Sequence, residues 1–193
     1  MSTIRGIARS SGIMLAAVVL ATASAPRGAA AQQPAEPSTQ QPARPPPPAP
    51  TMRLTQLSLD AANRIANATL QDCVRRGALI AVAVTDRAGQ LLALQRDPLA
   101  GMHTAETATR KAWTAVSFRT ATTALVRATA PDSPNHGIRQ LPGVAVVGGG
   151  LPVEAAGTLV GGVGVSGAPS GELDEACAQA GIEAVRDDLE LGG

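Results

Sequence analysis

Apolar residues change their spacing along the chain, and each change marks a different kind of segment. From Ile13 to Ala23 they form a run broken only at Thr22, behind Arg5 and Arg9. Across residues 32–51, QQPAEPSTQQPARPPPPAPT, nothing large and apolar remains, and eight of the 15 prolines gather there. From about Met52 the apolar positions recur with regular periods, so the folded part is expected to begin there.

Ala62, Ala66, Leu70 and Cys73 follow one another at spacings of four, four and three, which lines one face of a helix. That helix is expected from a Thr55 cap to about Arg76, with Gly77 in the left-handed position after it. Ile80–Val84 is a continuous apolar run of strand length, Asp86–Gly89 a turn, and Leu91–Leu94 the returning strand of a hairpin. Met102–Phe118 reads as a helix whose stripe, Ala105, Ala108, Ala112 and Ala115, is all alanine, so it can approach a sheet closely. A second helical segment spans about Thr120–Ala128, and Pro131 and Pro134 open the loop that follows. Two apolar runs, Val144–Val147 and Thr158–Val165, flank the Gly148-Gly149-Gly150 triplet and read as strands. Ser170 then caps a final helix running to about Leu189, with acidic residues in its first turn and an apolar stripe of Ala178, Ile182, Val185 and Leu189. Strands joined by tight turns are antiparallel, and helices in separate blocks cover them. The expected class is α+β, an antiparallel sheet of about five strands flanked by helices.

The first run has the form of a secretory signal peptide. It is too short for the roughly 20 residues of a bilayer-spanning helix, and Ala29-Ala30-Ala31 before Gln32 fits a small-residue cleavage site. Residues 1–31 are expected to be removed on export to the periplasm or the medium, leaving no stable membrane span. Residues 32–51 form a disordered Pro/Gln/Ala-rich linker in this reading, and residues 52–193 the domain.

Composition narrows the chemistry. Trp113 and Phe118 are the only aromatics and tyrosine is absent, so the core is aliphatic and built from small side chains. Without Arg5, Arg9 and Arg27 of the leader, the 16 basic residues fall to 13 against 15 acidic ones, a net charge of −2. No basic block remains to favour nucleic acid. The glycine clusters match neither a Walker A loop nor a dinucleotide fingerprint, Ser166-Gly167 and Ser170-Gly171 are not a nucleophile elbow, and no cysteine pair has zinc spacing. Export permits a disulfide between Cys73 and Cys177; two buried thiols fit the apolar stripes equally well.

The stretch GVGVSGAPSGELDEACAQAGIEAV, from Gly162 to Val185, closely resembles the C-terminal signature of the GlcG/HbpS family. Lys111-Ala112-Trp113-Thr114-Ala115 matches the family's Lys-Ala-x-Thr-Ala helix, and Leu54-Thr55 and the hairpin ending at Asp97 also fit. The resemblance covers about Met52–Asp188. It implies a profilin-like fold, assembly into homo-oligomers and, for some members, heme binding; other members sit in glycolate-utilisation operons. The C-terminal domain of corrinoid adenosyltransferases is related.

A heme site needs an axial ligand, an apolar cleft and a cation near the propionates. His103, at the start of the middle helix beside Met102, and His136, in the proline-bounded loop, are the candidate iron ligands. Met52, Met102, Cys73 and Cys177 are the other conceivable ligands. Arg110, Lys111, the only lysine, and Arg139 are candidates for a ligand carboxylate. The plain alternatives are a polar helix start, a solvated loop imidazole and the wet face of a helix. With so few aromatics to stack on a tetrapyrrole, the site is expected to be shallow and shared between subunits. The resulting expectation is an exported, oligomeric protein that binds heme as its small-molecule ligand. The alternatives are an enzyme acting on heme or a small 2-hydroxy acid, and a structural assembly module.

Overall fold

The computed structural model describes residues 50–191. The leader and all but the last two residues of the linker lie outside them. The order is α1 (Leu59–Arg75), β1 (Ala81–Asp86), β2 (Leu91–Arg96), α2 (Thr104–Phe118), α3 (Thr122–Ala128), a 3-10 turn (His136–Gln140), β3 (Gly150–Ala155), β4 (Thr158–Ser166), α4 (Gly171–Glu183) and α5 (Arg186–Leu191). The strands form one antiparallel sheet in the order β2-β1-β4-β3. The α+β class holds, with four strands in the described residues.

The two faces of the sheet are packed differently, and the alternation of side chains along a strand explains why. Val82, Val84, Val163 and Val165 point to the face covered by α1 and α4, where they join Ile65, Ala66, Cys73, Cys177, Ala178 and Val185 in the main core. Ala81 and Ala83 point to the other face and meet Ala108 of α2. Central strand β1 is therefore buried on both sides, which is why its sequence is continuously apolar rather than alternating. The alanine stripe of α2 lies on the glycines of β4. A Cβ on Gly164 would run into the Ala108 carbonyl and lie 2.5 Å from the Ala112 nitrogen; one on Gly162 would lie 2.9 Å from the Ala112 carbonyl.

Four local expectations change. Ser58, not Thr55, caps α1, its hydroxyl accepting from the Ala61 amide at 3.1 Å. Val144–Val147 is not a strand: the segment runs beside α2, where the Ala145 amide donates to the Thr114 hydroxyl at 2.9 Å. Strand β3 begins only at Gly150, and its Pro152 is tolerated because β3 lies at the sheet edge. The final helix divides, α4 ending at Glu183 and α5 starting at Arg186, as the turn between them drives Val185 into the core. The caps at Ser170 and Gly77 stand as expected, with Leu173 N donating to Ser170 at 3.2 Å and Gly77 at φ 77°.

Cys73 and Cys177 form a disulfide that joins α1 to α4 inside the core. It closes a sequence separation of 104 residues. Reduction is predicted to cost about 2–5 kcal/mol of stability, read as a lower urea midpoint in dithiothreitol. Denatured but unreduced protein should show no reactive thiol; two would contradict the bridge.

Candidate functional site

The start of α2 and the loop between β4 and α4 face each other across a hollow of about 420 Å³. That volume lies within the roughly 300–1,000 Å³ of small-molecule sites. One wall is Gly101, His103, Thr104 and Thr107; the other is Ser166–Gly171. Local sequence fixes both walls. The Thr104 hydroxyl donates back to the Gly101 carbonyl at 2.6 Å, closing the turn that begins α2. Gly167 takes φ 133°, where a Cβ would strike the Leu79 carbonyl, and so turns the chain out of β4 toward the Ser170 cap.

Lys111 and Asp174 form the floor. Lys111 Nζ donates to Asp174 Oδ2 at 2.8 Å and to the Val165 carbonyl at 2.7 Å. The side chains are 2% and 5% exposed. Asp174 Oδ1 accepts from the Ala168 amide at 3.0 Å, so one carboxylate binds both the helix lysine and the loop backbone. Burial pushes the Asp174 carboxyl above its ordinary range, against the opposing pull of Lys111 and the Ala168 and Gly167 amides. Gly149, at φ 112°, lets the backbone close over this pair: a Cβ there would lie 2.6 Å from Asp174 Cβ and 3.0 Å from Lys111 Nζ. The glycine triplet is thus a seam of close approach, not a phosphate loop.

His103 occupies the cap position of α2 without capping it, and its exposed ring lines the hollow. Met102 beside it is 94% exposed. His136 is elsewhere: its Nδ1 lies 3.2 Å from the Thr129 carbonyl, to which Arg139 Nε donates at 2.7 Å. Both residues close off the C-terminal end of α3. Arg110 points outward and pairs with Glu106 at 2.6 Å. Met52 is exposed and the cysteines are bridged. The structure therefore brings His103 and Lys111 to one hollow and leaves His136 and Arg110 outside its lining. Asp174 escaped sequence reasoning because a carboxylate in the first turn of a capped helix reads as a dipole partner. Its spacing from Lys111, 63 residues, carried no signal.

The family described as "Haem degrading protein HbpS-like" matches residues 57–183. The chain belongs to the HbpS-like family. Among solved structures, a double mutant of Streptomyces reticuli HbpS is 38% identical, covering 75% of this chain and 99% of that one with a TM-score of 0.67. A PduOC:heme complex is 31% identical, covering 67% and 95%, with a TM-score of 0.63. Corrinoid adenosyltransferase PduO of Salmonella typhimurium is 32% identical over 142 residues, 72% of this chain. This HbpS-like chain spans 42% of that protein's length.

Removing one partner of a buried ion pair strands a charge, whereas replacing both with apolar groups does not. Lys111→Met or Asp174→Leu alone is predicted to destabilise by about 3–5 kcal/mol. The double substitution should lose less than either single one in urea unfolding; additive losses would contradict the pair's role.

Proposed function

We propose that the mature chain is an exported heme-binding protein, with heme lodged over the hollow and His103 as its axial ligand. The observation that carries this is an exposed imidazole, free of any capping role, on the wall of a ligand-sized hollow. The similarity to a domain crystallised with heme supports it. The residues present fit the group on one side. Val147, Ala168 and Pro169 give apolar wall; Leu99 and Met102, 80% and 94% exposed in the turn before α2, lie outside the lining. Bound heme supplies the iron; the chain supplies the imidazole, one covered face and hydroxyl groups around the rim. No Phe, Trp or Tyr side chain lines the hollow, so the other face is left for a second copy.

Assembly follows the same reasoning. Leu91 and Leu94 on edge strand β2 are 47% and 44% exposed, and Trp113 of α2 is 36% exposed. Burying such surface between copies stabilises by roughly 25 cal/mol per Å². Export is supported by the internal disulfide, which persists in oxidising compartments. No helix among the described residues is long and apolar enough to cross a membrane.

The test is a hemin titration of the mature protein, followed by its Soret band. His103→Ala is predicted to weaken binding by about tenfold or more, equivalent to about 1.4 kcal/mol, while His136→Ala leaves it within about twofold. Absence of a Soret shift at stoichiometric hemin would overturn the reading. The family's description favours a second reading, heme degradation. Loss of the Soret band when a reductant is added in air would support it, and a lasting band would leave binding alone.

A further inference from the structure

We propose that the hollow is a carboxylate-recognition site, in which Lys111 donates its remaining N–H to a ligand carboxylate while Asp174 and the Val165 carbonyl hold the ammonium in place. A lysine ammonium has three N–H donors. Two are matched, by Asp174 Oδ2 and by the Val165 carbonyl. No third acceptor for it is found among the described residues. Burying an ammonium costs several kcal/mol unless its hydrogen bonds are completed, so the unmatched donor marks a place for a ligand atom. Gly149 closes the pair from the backbone side, and the open side is the hollow that Lys111 lines.

Charge selects the class of ligand. Lys111 and Asp174 sum to zero, so a dianionic phosphate would face Asp174 with no surplus positive charge to offset it. A singly charged carboxylate needs one charge-assisted donor and neutral donors around it. Thr104 and Thr107 already donate their hydroxyls to the Gly101 and His103 carbonyls, so Ser166 and Ser170 are the lining hydroxyls that can turn to a carboxylate. The first turn of α2, a helix of 15 residues, adds its positive dipole end at the rim. Asp174 is a positioning residue here: it touches the lysine and the Ala168 amide.

The carboxylate has two sources, a heme propionate or a free small acid. Only the first rests on the heme reading, and two probes separate them. The first compares hemin with its dimethyl ester on the wild-type protein, which needs no variant to fold. The second titrates acetate against chloride at equal ionic strength, reading the amide resonances of Ser166, Gly167, Ala168, Ser170 and Gly171. Hemin binding about tenfold or more tighter than the ester supports the proposal with propionate as partner, and Lys111→Met, if folded, should erase that ratio. Equal binding of hemin and ester with saturable shifts from acetate alone supports it with a free acid as partner. Acetate shifts with no Soret response to hemin would sink the heme reading and leave this site standing. Equal binding of hemin and ester with no acetate-specific shift would overturn the site while leaving heme on His103.

Discussion

One buried ion pair constrains the rest of the structure. Lys111 stands on α2, which among the described residues covers one face of the sheet, and Asp174 stands on a helix packed against the opposite face. They meet at the end of β4, where Val165 and Ala168 contribute backbone partners. A lone charge at such depth costs several kcal/mol, a large share of a small domain's stability. The two faces of the sheet must therefore close in one register, or each leaves an orphan. The glycines follow from this. Gly149 lets the chain pass over the pair, and Gly162 and Gly164 let α2 lie low enough for its lysine to reach the strand end.

Much of the fold was legible because periodicity reports local burial. The alanine stripe of α2, the continuously apolar β1 and the Ser170 cap all appear as read. What was not legible depends on partners distant in sequence. Val144–Val147 has strand composition, but it lies against α2 and its Ala145 amide goes to Thr114 instead of a neighbouring strand. The sequence of Cys73 and Cys177 suits a bridge or two thiols alike, and only the α1–α4 crossing brings them together. Thr55 and Ser58 are both good caps, and the docking of Leu57 onto Val160, through an amide hydrogen bond of 3.2 Å, makes Ser58 the one that starts the helix.

The site divides in the same way. His103 was visible as a helix-start imidazole and does line the hollow. His136 and Arg139 looked equally available in sequence, yet the Thr129 carbonyl engages both. Lys111 stood out as the single lysine and as part of the family element, but its depth and its pairing with Asp174 are products of tertiary packing. The hollow joins the two scales: a rigid, charge-paired floor from the core, and an exposed imidazole at the rim. The proposed reading sets a flat ligand over this opening, completed by a second copy; the family match itself covers residues 57–183.

The central claim is that this floor and this imidazole serve one ligand. The most direct measurement is a crystal structure of the hemin-loaded mature protein, with iron located by its anomalous scattering. The account predicts iron beside the His103 ring and a propionate oxygen within hydrogen-bond distance of Lys111 Nζ. Iron on His136, or heme seated away from the α2 start with Lys111 touching only Asp174 and Val165, would contradict it.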